Sequence, residues 1–310
     1  MSKPPRTLAA RWLFAAKPAS WPKLLVPTLL GQAIGLEHGG SIAALVLGAA
    51  FTFFDLLFIV FLNDYGDREV DAIKRAMFPA SSPKTIPDGV LPAHHLLAAG
   101  VLAGGAALGV AVAAEFVLGR QGLSALAALA LLVFVAYSLP PVRLNYRGGG
   151  EWLEMLGVAV VLPCFHAYLQ GGTIAARGLW LLPGYALMSL ASAIASGLAD
   201  ERSDRRGGKR TFVTRFGNEA ARRAVEALTF AGASAWALAG MLTDALPFWL
   251  GALPATVSFW SCGALLAASG AAPTDRFAAI ARYKTELHRA IWRGGTVAAM
   301  LLVWWHSIPS

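Results

Sequence analysis

Apolar runs long enough to cross a bilayer divide this 310-residue chain almost end to end. Nine can be read, at about 21–37, 41–63, 93–118, 122–139, 152–170, 178–198, 224–242, 246–269 and 290–306. A hydrocarbon core about 30 Å thick takes roughly 20 apolar residues of helix to cross, and no water there satisfies free backbone groups. The expected fold is therefore an all-α polytopic membrane protein with nine transmembrane helices. Residues 1–20 read as a cytoplasmic arm and 21–310 as a single transmembrane domain. The N-terminal stretch "MSKPPRTLAARWLFAAKPASWPK" lacks a continuous apolar core before its prolines, so no secretory leader is expected.

Composition agrees, with 56% hydrophobic and 14% charged residues against roughly 25% charged in soluble domains. The net charge of +8 invites a nucleic-acid reading, but its distribution argues against one. Lys and Arg crowd alternate connections: the N-terminal arm, the second-to-third, fourth-to-fifth, sixth-to-seventh and eighth-to-ninth. The opposite face carries only Arg120 and Arg177. The positive-inside rule then places the N-terminus in the cytoplasm and the C-terminus outside. Cys164 and Cys262 lie far apart in apolar runs without histidine spacing, so packing is their expected role.

Two acidic clusters break the pattern on the cytoplasmic side. "NDYGDREVD" (63–71) ends the second run, and "GLADERSDRRGGKRT" (197–211) ends the sixth. Asn63, Asp67 and Asp71 are spaced i, i+4, i+8 and share one helix face, with Asp64 beside it; Asp200 and Asp204 are a second i, i+4 pair. Carboxylates so placed repel unless a cation lies between them. Oxygen ligands without nearby His or Cys suit Mg²⁺, which takes one or two carboxylates and completes its shell with water and phosphate oxygens. Arg205, Arg206, Lys209 and Arg210 stand ready for phosphate charge, and Gly207 and Gly208 allow close backbone approach. One cluster alone reads equally well as a solvated loop. Two on one side argue for a site.

With "NDYGDREVDAIKR" on one helix and Asp200–Asp204 followed by "GGKRT" on another, the chain resembles the UbiA superfamily of intramembrane prenyltransferases. "YSLPPVRL" (137–144) is similar to the family's fourth-to-fifth connection, and "SPKTIPDG" (82–89) sets Lys84 in approximate place of a basic residue after the first motif. The resemblance implies two four-helix bundles plus a ninth helix around a central cavity, capped by cytoplasmic loops. It implies a prenyl diphosphate bound through two Mg²⁺ ions. One would be served by Asn63, Asp67 and Asp71 with Asp64 close by, the other by Asp200 and Asp204. It makes Arg68, Lys74, Arg143, Lys209 and Arg210 the expected diphosphate contacts, and gives Tyr137 a place beside the diphosphate.

The implied reaction is ionisation of an allylic diphosphate and attack on the cation by a lipophilic acceptor, of aromatic or quinone type on family precedent. Asp55 lies on the same helical stripe as Asn63, about 12 Å deeper. An acid at that depth faces a cavity or a polar partner, so it is a candidate to orient the acceptor or take its proton, with a structural role as the other reading. A membrane terpene cyclase would need the same ionisation and stays open. A transporter fits less well, because polar groups within the runs are few: Asp55, Glu115 and His166. Besides prenyl diphosphate, acceptor and membrane lipid, no obligate protein partner is evident.

Overall fold

The computed structural model describes residues 5, 7–242 and 244–308, and among them there are helices and connections but no strand. The helices are α1 Leu8–Ala16, α2 Pro22–Gly35, α3 Ile42–Met77, α4 Ala93–Leu118, α5 Leu123–Ser138 and α6 Leu144–Arg147. They continue as α7 Gly150–Gly171 and α8 Arg177–Ala199, then α9 Glu201–Arg206, α10 Phe212–Phe216, α11 Asn218–Leu242, α12 Phe248–Ser269 and α13 Phe277–Ser307.

Among the described residues, six helices are long and apolar enough to cross a membrane: α3, α4, α7, α8, α11 and α12. The other three apolar runs also fall on helices. Of these, α2 and α5 are shorter, with 14 and 16 residues. In α13, Arg293, His306 and three tryptophans (Trp292, Trp304 and Trp305) dilute the apolar half, and the first turns are charged.

Helix α3 sets the geometry of the site. It begins at Ser41, whose hydroxyl accepts from the Ala44 amide, and runs for 36 residues. At 1.5 Å per residue that is about 54 Å, well beyond a 30 Å hydrocarbon layer. Its last roughly 16 residues therefore project past the apolar zone without a break, and this end holds the first acidic motif. The helices close into a ring. Helix α3 packs on α4 and α4 on α5; α7 joins α5 to α8; α8 packs on α11, α11 on α12, α12 on α13, and α13 on α2, which returns to α7.

The apolar interior follows this ring as two main clusters. Phe51, Leu56, Ala107, Leu123 and Phe165 fill the α3–α4–α5–α7 side. Leu30, Ile34, Tyr185, Trp236, Leu287 and Leu302 fill the other. A Cβ on Gly31 would lie 2.4 Å from the Pro163 carbonyl oxygen, and one on Gly35 2.5 Å from that of Ala167. Glycine at both positions is what lets α2 and α7 touch backbone to backbone.

His166 is fully buried where α2, α3 and α7 meet. Its ring nitrogens lie 3.0 Å from Thr52 Oγ1, 3.3 Å from Thr28 Oγ1 and 3.1 Å from Gln32 Nε2. This is a hydrogen-bond junction between helices. Glu115 is tied up locally, accepting from the Ser124 amide and hydroxyl at the α4–α5 turn.

Candidate active site

The projecting end of α3 does not stand alone. Helix α9, which carries the second acidic motif, packs directly on it, and a Cβ on Gly207 would meet Val70 at 2.6 Å. The glycine after the motif thus permits the contact that brings the two acidic stretches together. Between them lies a cavity of about 340 Å³. Asn63, Asp64, Asp67, Asp71, Asp200 and Asp204 all line it, as do Asp55, Tyr137 and Lys209. Its deeper walls are apolar, with Ile59, Val133, Phe134, Val158 and Leu162. Gly157 and Val158 belong to a π-helical turn that interrupts α7, a local widening common at functional sites.

Every aspartate of the two motifs except Asp204 is met by a lysine. Lys209 Nζ is 2.8 Å from Asp67 and Lys84 Nζ is 2.6 Å from Asp71. Lys17 pairs with Asp64 and Lys74 with Asp200. Thr85 Oγ1 donates to Asp64 at 2.5 Å, so the loop after α3 grips the motif twice. That loop is itself stapled. Asp88 accepts from Arg75 Nε at 3.0 Å and from the Lys84 amide at 2.6 Å, while Arg75 Nη1 donates to the Pro79 and Ser81 carbonyls at 2.9 Å.

Lys209 is fixed by its backbone. Its amide donates to the Asp204 carbonyl at 2.8 Å and its carbonyl accepts from Thr214 Oγ1 at 3.0 Å. Thr211 and Thr214 form a reciprocal cap at the start of α10.

These pairings set the ionisation of the head of the cavity. Burial pushes the Asp204 carboxyl up to about 7; nearby Lys209 opposes this, and Asp200 and Asp67 reinforce it. Burial would raise Asp200 as well, but Lys74 and Lys84 overcome it and hold that carboxyl below its ordinary value. Burial works against the charged form of Lys84, yet Asp200 and Asp71 hold its ammonium well above the ordinary lysine range. Lys209 is raised by Asp67 and Asp204 in the same way, again against burial.

Of the five basic residues expected at the diphosphate, Lys209 alone lines the cavity. Arg68 turns to its own helix, donating to the Tyr65 carbonyl at 2.7 Å and covering the Tyr65 ring. Arg143, with φ +46°, donates to the Gly66 carbonyl at 2.5 Å and stacks 3.5 Å above the Tyr146 ring, where it props the α5–α6 connection on α3. Arg210 is exposed beside a second cavity. Lys74 is buried and engaged with Asp200 behind the cavity lining.

Sequence reasoning missed Lys17, Lys23, Asn145 and Glu154, all of which line the cavity. Lys23 pairs with Glu154, and Asn145 Nδ2 is 3.5 Å from Asp67 Oδ1. The arm lysines had registered only as topological charge.

Asp55 is buried, 4% exposed, and lines the cavity below the acidic head. Among the described residues no group bonds to its carboxyl, in contrast to the side chains of His166 and Glu115. Among the described residues, too, no three Asp, Glu, His or Cys side chains converge on one point as a self-sufficient metal cage. The acids instead ring the cavity, so a cation held there would draw one or two protein ligands from each side and the rest from a ligand or water. That is how Mg²⁺ is bound beside phosphates.

The folded arrangement has known counterparts. The chain is similar to a UbiA homologue from Archaeoglobus fulgidus bound to GPP and Mg²⁺, with a TM-score of 0.69 at 16% identity, over 93% of this chain and 99% of that one. It is similar to the apo structure of a UbiA homologue from Aeropyrum pernix K1 (TM-score 0.68, 15% identity, 92% and 98% coverage). It is also similar to a digeranylgeranylglyceryl phosphate synthase (TM-score 0.63, 12% identity, 96% and 99% coverage). No curated protein matches the chain. The family model for UbiA prenyltransferases matches residues 24–283, a stretch that holds both acidic motifs, the loop bearing Lys84 and the α9–α10 turn bearing Lys209, and the chain accordingly belongs to the UbiA prenyltransferase family.

Proposed function

We propose that this protein transfers a prenyl group from an allylic prenyl diphosphate to an aromatic or quinone-type acceptor, with Mg²⁺ as cofactor. The observation that carries the reading is the meeting of both acidic motifs and their lysines at the head of one cavity whose floor is apolar. A charged head with a long hydrocarbon tail fits that division. On this reading Asn63, Asp67 and Asp71, with Asp64 alongside, hold one Mg²⁺, and Asp200 and Asp204 the other. When bound, the ions stabilise the negative charge growing on the leaving group.

Lys209 and Lys84 would turn from their carboxylates toward the diphosphate oxygens and contribute the same kind of stabilisation. The allylic C–O bond breaks with its electron pair leaving on diphosphate. The acceptor's electron-rich carbon then forms the new C–C bond. Asp55, buried and unengaged in the wall, takes the proton that this substitution releases. Phe134, Val133 and Leu162 keep water from the cation, which would otherwise be quenched to an alcohol. Tyr137 lies in the same wall and packs on Phe134, with ring centroids 6.0 Å apart.

The same reading takes all nine apolar helices as crossings, arranged as two four-helix bundles plus a ninth, with the N-terminus and both motifs cytoplasmic. What supports it is the ring of neighbouring helices and the crowding of Lys and Arg at the motif end. The relatives bound to GPP with Mg²⁺ or to DMAPP with Mg²⁺ support the choice of donor and ion.

The test is diphosphate release by the purified protein in lipid. Geranyl, farnesyl and geranylgeranyl diphosphates are offered with and without Mg²⁺ and a panel of acceptors. Release that requires Mg²⁺ and an acceptor, and is lost in Asp67→Ala, is expected. Acceptor-independent release of a cyclic hydrocarbon would make the protein a cyclase instead. No release with any donor would overturn the reading.

A further inference from the structure

A second and larger cavity, about 1300 Å³, opens beside the first between α7 and α11. Its two ends differ in chemistry. Arg147, Arg205, Arg210 and Arg215 ring the end level with the acidic motifs, while its floor runs down α8 and α11 as Leu190, Ile194, Ala227 and Leu228. Trp152 and Phe216 flank the mouth and are 61% and 53% exposed. The four arginines are exposed; Arg205 donates to Glu201 at 3.3 Å and to the Thr214 carbonyl at 3.1 Å, and the acid among the described lining residues, Glu151, is turned away to accept from the Phe212 amide at 2.6 Å.

We propose that this groove binds a phosphate-headed, anionic lipid of the bilayer, with its head among the arginines and one acyl chain along the α8–α11 floor. Guanidinium groups recognise phosphate in a forked, charge-assisted geometry. A basic pocket between membrane helices, at the end rich in Lys and Arg, is where anionic headgroups bind. The trough descends between two helices of spanning length, so what meets it is lipid.

Its occupant stays apart from the reaction cavity. Glu151, Lys209 and Thr211 line both cavities and form the partition. The Phe212–Glu151 bond, and the Arg210 amide donating to the Tyr146 carbonyl at 3.1 Å, hold that partition shut. A lipid seated here presses on the same turn that positions Lys209. The proposal stands on the groove alone and does not depend on the catalytic reading.

Native mass spectrometry of the purified protein tests it, with phosphatidylglycerol and phosphatidylcholine of identical acyl chains as probes. The wild-type chain is expected to retain phosphatidylglycerol preferentially. The double variant Arg147→Gln/Arg215→Gln should weaken that preference, by about fivefold for each arginine removed. Ala227→Trp, which fills the trough and leaves the charges in place, should reduce retention of the lipid without needing the double variant to fold. Equal retention of both lipids by the wild type, or unchanged retention in Ala227→Trp, would overturn the proposal. So would displacement of phosphatidylglycerol by equimolar geranyl diphosphate, which would assign the groove to substrate.

Discussion

Lys209 Nζ lies 2.8 Å from Asp67 Oδ1, and that contact joins the two acidic motifs across the head of the cavity. Both groups are largely buried, at 8% and 16% side-chain exposure, so water screens the pair weakly. In the proposed reaction the same ammonium must serve the leaving diphosphate. Lys209→Ala should therefore lower kcat/KM for prenyl diphosphate by roughly 10²–10³, the scale for removing one preorganised charge-stabilising group. Lys209→Arg should recover part of the loss. Steady-state kinetics of both variants check this.

Asp204 gives the site a pH dependence with a definite sign. Its carboxyl is raised from 3.8 to about 7, so below that pH it carries a proton that a bound cation must displace. Mg²⁺ affinity should fall as pH drops through 7, approaching tenfold per pH unit, and level off above it. Calorimetric titration at pH 6 and 8 in two buffers of different ionisation enthalpy would reveal the released proton. Asp204→Asn should bind more weakly and lose the slope.

Asp55 should act on the acceptor and not on the donor. Asp55→Asn removes the proposed base while leaving the acidic head of the cavity in place, so KM for prenyl diphosphate is expected to stay within about twofold. Prenylated product should fall by about 10²–10⁴, the usual contribution of a general base. Product analysis beside diphosphate release separates the two steps. Unchanged transfer in this variant would return Asp55 to a structural role.

The Arg75–Asp88 staple should matter through Lys84. Asp88 binds the Lys84 amide and the Arg75 guanidinium at once, so Asp88→Ala frees the loop that carries Lys84 and Thr85 over Asp71 and Asp64. The expected result is a KM for prenyl diphosphate raised about tenfold with a smaller change in kcat, and a Tm lowered by a few degrees. Asp88→Glu should restore KM more than Asp88→Ala does, whereas a purely structural contact would move Tm alone.

How much of this was legible in the sequence divides along physical lines. Spacing within one helix is a local property, so the shared face of Asn63, Asp67 and Asp71 and the Asp200–Asp204 pair could be read directly. So could the depth of Asp55, since 1.5 Å per residue is all it requires. Partners from distant segments could not. Lys17 on the arm and Lys23 at the start of α2 are offered by the sequence only as topological charge, yet the turn after α1 brings both to the cavity. Arg68, Arg143 and Arg210 show the converse. Each adjoins a motif in the chain, but helix phase or backbone turn carries its side chain elsewhere. Three of the nine apolar runs also fall on helices too short or too diluted to be recognised as spans on length and composition alone.

The lysines that meet Asp64, Asp67, Asp71 and Asp200 carry one further consequence. Stripped of counter-charge, these buried and half-buried carboxylates would repel one another and strain the contact between the helix ends. Here the chain furnishes its own counter-ions, so folding need not wait for a divalent cation. In the proposed reaction, ligand capture would be an exchange of partners, in which carboxylates trade ammonium for metal while ammonium trades carboxylate for phosphate. Such a double swap would favour donor and cation arriving together over either arriving alone.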